Sequence, residues 1–225
     1  MESFILVIGL GSMGKRRVRN LQAIGIKNIV GFDQREDRRV ESLQKYNINV
    51  VTSFEDAIAN FNIDKVVISV PPEIHHVYMK KAIEFSIPVF IEASVLDTDF
   101  NEMILEAKSK GVCLAPSCTL FFHPAIKKIV EIIKNEDLGV ISNFLYHSGQ
   151  YLPDWHTYED VSEYYVSNKE TGGGREIVPF ELTWITLALG FPKRVVGLYK
   201  NAIQIKGAES IDETYNLLMD YGNSI

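Results

Sequence analysis

Short, uninterrupted apolar runs recur along the first half of the chain. They are Ile5-Leu6-Val7-Ile8, Ile29-Val30-Gly31-Phe32, Val66-Val67-Ile68, Val89-Phe90-Ile91 and Val112-Cys113-Leu114. None alternates apolar with polar, so each predicts a strand covered on both faces, as in a parallel sheet flanked by helices. The segments between them have helical spacing. Ile74, Val77, Tyr78, Ala82 and Phe85 fall on one stripe, and Phe100, Met103, Ile104 and Ala107 on another. Strand–helix alternation of this kind predicts a doubly wound α/β fold of the Rossmann type.

The pattern changes after Pro116-Ser117-Cys118-Thr119, which sets a boundary between a domain at 1–117 and a second at 118–225. Ile126, Ile129, Val130 and Ile133 predict one more amphipathic helix, ending near Gly139. Strands are expected at 140–147, 195–200 and 213–221. In the last, Tyr215, Leu217, Met219 and Tyr221 alternate with Thr214, Asn216 and Asp220, as in an antiparallel sheet with one wet face. The second domain is therefore expected to be α+β with a mainly antiparallel sheet. Tyr221-Gly222-Asn223 is a turn signal with only two residues after it, so a hairpin partner is implied and absent. Either the chain is a truncated product, or another subunit covers that edge.

Composition narrows the function classes. Of 225 residues, 46% are hydrophobic and 23% charged, an ordinary globular balance, and the net charge of −6 argues against a nucleic-acid partner. No basic helix-turn-helix segment is visible. The one basic cluster, Lys15-Arg16-Arg17, reads as a solvated helix face. Cys113 and Cys118, on a strand and the loop after it, read as free thiols. With no signal peptide or membrane-length apolar run, a cytoplasmic protein is expected.

Gly9-Leu10-Gly11-Ser12-Met13-Gly14 fits G-x-G-x-x-G between a predicted strand and a predicted helix, the context in which that pattern cradles a pyrophosphate. Asp33 ends the next strand, 19 positions after Gly14, where an acid binds the adenosine ribose hydroxyls and repels a 2′-phosphate. NAD is thus the expected cofactor. Arg35 and Arg38 follow closely and keep NADP as the alternative. Ser69-Val70-Pro71-Pro72 closes a later strand, and His75 opens the helix after it, so Ser69, Val70, Pro71 and His75 extend the expected cofactor site.

The order of these motifs resembles the Gfo/Idh/MocA family of glucose-fructose oxidoreductases and inositol dehydrogenases. It continues through Ile87-Pro88-Val89-Phe90-Ile91-Glu92, Phe122-His123-Pro124, Leu138-Gly139-Val140-Ile141 and Thr171-Gly172-Gly173-Gly174. The resemblance implies a two-domain, nicotinamide-dependent oxidoreductase acting on a sugar, cyclitol or nucleotide sugar. It implies Glu92 at the cofactor, and a second-domain sheet that forms the substrate wall and often a homo-oligomer interface. It also exposes two departures. The family's Glu-Lys-Pro reads Glu92-Ala93-Ser94, and its helical aspartate and histidine four apart read Glu176 and Phe180. Alanine and phenylalanine accept no proton.

The replacement candidates are His147 and His156, whose ordinary pKa suits proton transfer near neutrality, with Asp154 to orient one of them. Tyr151 and Trp155 are candidates to stack on a sugar. His123, Arg175, Glu176 and Glu181 complete the substrate candidates, with the glycine triplet lining the approach and Pro179 in the first turn of a helix beginning near Arg175. No ligand spacing among the histidines supports a metal. A catalytically inactive relative, binding a dinucleotide or sugar for regulation or assembly, is the alternative.

Overall fold

The computed structural model describes residues 2–222 except Val95, His156, Tyr158, Glu159, Ala202 and Ile203. The chain divides into two compact units: residues 1–93 with 97–117, and residues 94–96 with 118–225.

The first unit runs β1 (Phe4–Ile8), α1 (Ser12–Ala23), β2 (Ile29–Phe32), α2 (Glu36–Tyr46), β3 (Asn49–Val51), α3 (Phe54–Asn60), β4 (Ile63–Ile68), α4 (His75–Glu84), β5 (Val89–Ile91), α5 (Phe100–Lys110) and β6 (Leu114–Pro116). All six strands are parallel, in the order β3-β2-β1-β4-β5-β6. That order reverses direction at β1, which places the ligand crevice above the carboxyl ends of β1 and β4. Leu6 and Ile8 pack on one side of the sheet with Phe54, Ile83 and Met103, while Val7, Leu10, Val18 and Ile29 fill the other side. Both faces are thus buried, as the continuous apolar runs require.

Local differences from the expected pattern have physical reasons. β3 is only three residues long and begins with Asn49, so it presents no apolar run. The last strand of the sheet is Leu114–Pro116, which leaves Cys113 outside it and exposed. Helix α4 buries His75, Tyr78, Met79, Ala82 and Ile83, while Val77 and Phe85 are exposed. These five buried positions keep i, i+3, i+4 spacing, but a histidine leads them, so an apolar stripe drawn without it is rotated. On α5, Met103 and Ala107 are buried and Ile104 is half exposed.

The second unit holds α6 (Pro124–Lys134), α7 (Gly174–Leu189), β7 (Arg194–Lys200) and β8 (Thr214–Asp220). α6 packs on α7 through Ile126, Val130, Ile133, Trp184, Ile185 and Ala188. It ends at Lys134, one turn short of the expected Gly139. β7 and β8 form a two-stranded antiparallel ladder. The strand expected at 140–147 is not formed: residues 141–150 carry no regular secondary structure, and Leu145 is 90% exposed. A strand exists only by hydrogen bonding to a neighbour, and among the described residues β7 and β8 pair only with each other. A smaller core gathers Leu152, Val161, Val166, Ile205, Ala208 and Ile211.

Candidate functional site

The glycine turn between β1 and α1 is built around close approach. Gly9 has φ +88°, and a Cβ there would strike the Ser69 backbone; a Cβ on Gly14 would collide with the Gly9 carbonyl oxygen. With Gly14 bare, α1 begins tight against the end of β1. The N-cap of α1 is Gly11, no side chain caps it, and its first turn has no acid. The leading N–H groups and the positive helix end are therefore available to an anion, and a pyrophosphate fits them.

Asp33 is buried at the end of β2. Its Oδ2 accepts the Leu10 N–H at 2.7 Å and its Oδ1 accepts the Arg35 N–H at 2.9 Å. The carboxylate thus braces the glycine turn, and each oxygen keeps a lone pair for a ribose hydroxyl. Arg38 stands 3.5 Å from Asp33 Oδ2 and lies beside Gly11. Arg39, unforeseen in the sequence, donates to the Asp33 and Gln34 carbonyls at 2.7 and 2.9 Å.

At the end of β4, Ser69 and Val70 border Gly9. His75 is buried behind them, with Nε2 2.7 Å from the Val70 carbonyl oxygen. Burial pushes its pKa below the usual histidine value. The neutral ring donates from Nε2, and Nδ1 is left buried without a partner among the described residues. His75 thus braces the loop of Val70 and Pro71 from the protein side.

Glu92, at the end of β5, is gripped by Arg17 through two parallel bonds of 2.5 and 2.7 Å. Ser69 Oγ donates to it at 3.3 Å, and Arg17 also donates to Ser117 Oγ at 3.2 Å. This corrects the reading of Lys15-Arg16-Arg17 as a solvated face. Lys15 pairs with Glu41, and Arg17 turns toward the sheet because it lies three residues after buried Gly14. Spacing from Gly14 was the one signal in the sequence.

In the second unit, Glu181 is held by Tyr146 Oη at 2.7 Å, Trp184 Nε1 at 3.0 Å and Ser148 Oγ at 3.3 Å. His147, between two of these anchors, is exposed, as is Asp154, and no hydrogen bond joins them among the described residues. His156 lies outside the described residues. Tyr151 is 55% exposed, whereas Trp155 packs on the small core and is not presented for stacking. His123 caps α6, its Nδ1 accepting the Ala125 N–H at 3.2 Å. Arg175 pairs with Glu170 at 3.2 Å and is exposed.

Glu176, in the first turn of α7, accepts the Tyr165 hydroxyl on Oε1 at 2.6 Å, while Oε2 is buried without a partner among the described residues. Burial raises its carboxyl above the usual range, against the lowering effect of Tyr165. The glycine triplet does not line an approach. Side chains on Gly172 and Gly174 would strike Val166 and the Tyr215 ring, so these residues let chain segments close together. Pro179 lies within α7 beyond its first turn, which begins at Gly174. No cluster able to hold a metal occurs among the described residues.

The fold and this turn define a Rossmann protein for dinucleotides. Residues 4–117, just over half of the chain, match the Gfo/Idh/MocA oxidoreductase family with its NAD-binding Rossmann fold, and the chain belongs to that family. The oxidoreductase YrbE of Bacillus subtilis is 29% identical over 138 residues, 59% of this chain and 40% of its own. Myo-inositol 2-dehydrogenase from Lactobacillus plantarum superimposes with a TM-score of 0.81 at 19% identity, covering 96% of this chain and 65% of that one. Levoglucosan dehydrogenase, solved with NADH and levoglucosan, gives 0.79 at 18%, covering 99% and 65%. The structural likeness speaks for the fold. The chain spans less than two thirds of these solved relatives.

Proposed function

We propose that the chain belongs to an oxidoreductase that moves a hydride between NAD(H) and a sugar, cyclitol or nucleotide sugar, residues 1–117 holding the cofactor and 118–225 meeting substrate. The observation that carries this is the uncapped start of α1 behind the Gly9–Gly14 turn, with Asp33 bracing it from β2. Gly9, Gly11, Ser12, Met13 and Gly14 would hold the pyrophosphate, Asp33 the adenosine ribose with Arg38 beside it, and Ser69, Val70, Pro71 and Glu92 the nicotinamide side. A bound NAD would supply the acceptor for the hydride on the carbon bearing the substrate hydroxyl, and a base of the chain would take the hydroxyl proton. His147 is the described candidate for that base, and its chain neighbours Tyr146 and Ser148 both bond to Glu181. Tyr151, Arg175 and Glu176 are the remaining substrate candidates.

Two further parts of this reading concern the whole protein. Cys113 and Cys118 are free and, among the described residues, no helix is long and apolar enough to cross a membrane, which fits a cytoplasmic location. The β7–β8 sheet would join copies of the chain. A second reading, a catalytically inactive relative, is favoured by Ala93 and Phe180 at the positions of the family's lysine and histidine.

The test is direct. NADH and NADPH are titrated by fluorescence, and NADH formation is then followed at 340 nm with myo-inositol, levoglucosan and a panel of nucleotide sugars. Tighter binding of NADH than NADPH, with turnover that His147→Ala reduces at least tenfold, is expected. Tight NADH binding without hydride transfer to or from any panel member establishes the second reading.

A further inference from the structure

The grip of Arg17 on Glu92 carries a consequence for the redox state of the cofactor. Asp33 marks the adenosine side of β1, and the strand order puts β4 and β5 on the opposite side. The nicotinamide half of a dinucleotide crossing the α1 N-terminus therefore heads for the ends of β4 and β5, where Ser69 and Glu92 stand. Oxidised nicotinamide carries a positive charge and reduced nicotinamide carries none. A bare carboxylate beside the ring would hold NAD+ in preference to NADH.

Glu92 is not bare. Its side chain is 13% exposed and that of Arg17 18%, so solvent screens neither well. The guanidinium meets both carboxylate oxygens, is permanently charged, and lies 4.8 Å from the centre of the Phe90 ring. Ser117 occupies another of its N–H groups. The cation is thus held by three neighbours, Glu92, Ser117 and Phe90.

Resting on the reading that NAD(H) binds at this turn, we propose that Arg17 is a positioning residue that cancels the charge of Glu92 and so sets the balance between NAD+ and NADH binding. Removing the guanidinium would shift binding toward NAD+. Removing the carboxylate would expose Arg17 and shift it toward NADH. Removing both would restore the original balance.

The experiment measures the dissociation constants of NAD+ and NADH, by calorimetry and fluorescence, for the unaltered chain and for Arg17→Met, Glu92→Gln, the double variant and Arg17→Lys. Arg17→Met is expected to move the ratio about tenfold toward NAD+, lowering the potential of the bound couple by about 30 mV for two electrons. Glu92→Gln moves it the other way, and the double variant returns to within about twofold. Arg17→Lys keeps the original ratio even if both forms bind less tightly. Equal weakening of both nucleotides in Arg17→Met, or a double variant as skewed as either single one, overturns the proposal. Failure to bind either nucleotide overturns it together with the cofactor reading. Failure to oxidise a sugar leaves the ratio measurable and bears on the enzyme reading alone.

Discussion

A carboxyl group in the first turn of a helix is ordinarily stabilised as an anion, because the unpaired N–H groups there carry partial positive charge. Glu176 occupies that position in α7, yet its pKa is raised. Desolvation outweighs the Tyr165 hydroxyl, and among the described residues Oε2 has no partner to repay its burial. The folded chain therefore favours the protonated acid more than the unfolded chain does. That contribution to stability is complete below the unfolded carboxyl's pKa of about 4.3, and is lost as pH rises through the higher folded value. Glu176→Gln removes the charge without removing the acceptor for Tyr165. It should melt at nearly the parent temperature at pH 4 and about 2–4 °C higher at pH 8, the size of shift that ~1 kcal/mol produces in a chain of this length. Thermal melts across that pH range check it, and an unchanged gap between the two ends would show that folding does not raise the Glu176 pKa.

Among the elements, the β1–α1 turn is where sequence and structure agree most closely, because a steric rule fixes it. Gly14 has the Gly9 carbonyl oxygen where a side chain would stand. Gly14→Ala is accordingly expected to push α1 off the end of β1 and weaken NADH at least tenfold, measured by fluorescence titration, while far-UV circular dichroism stays that of the parent. Normal affinity in that variant would remove the turn from the cofactor site. Five of the six strands of the sheet were legible for a related reason, since strands buried on both faces have to be apolar throughout. β3, short and led by Asn49, was not. What sequence periodicity missed depends on partners distant in the chain. Arg17 looks like one more surface cation until Glu92, 75 residues away, is brought beside it. Residues 140–147 have the composition of a strand but find no neighbour to pair with among the described residues; Tyr146, and Ser148 just beyond, bond to Glu181 instead. His75 leads an apolar stripe because its one polar contact is satisfied by the Val70 carbonyl inside the fold. Pattern reading sorts residues by polarity and so rotates that helix.

For the whole molecule, the β7–β8 ladder poses the sharpest question, since two strands alone are marginal in water. One face of it presents Tyr199, Tyr215 and Leu217, with Tyr215 against Gly174 of α7. The register puts Val196, Leu198 and Leu218 together on the other face, with Asn216 opposite Leu198, bounded by the Arg194–Asp220 ion pair at one end and Lys200 and Thr214 at the other. These three apolar side chains are 63%, 72% and 74% exposed. The expected wet face is thus apolar at its centre apart from Asn216 and charged or polar at its rim, a pattern that fits a protein interface. A second copy meeting the same face through a twofold axis would bury the three side chains against their equivalents and leave the charged rim in water. Light scattering coupled to gel filtration should then give a multiple of the 25.5 kDa chain mass. Leu198→Lys combined with Leu218→Lys should return the monomer, since like charges would be brought together across the axis at the centre of a desolvated patch. NADH affinity should be unaltered in that double variant, because the Gly9–Gly14 turn, Asp33 and Glu92 all belong to the first unit. An assembly that survives both substitutions would assign self-association to another surface; a parent chain that runs as a monomer would leave this face to a partner of different sequence.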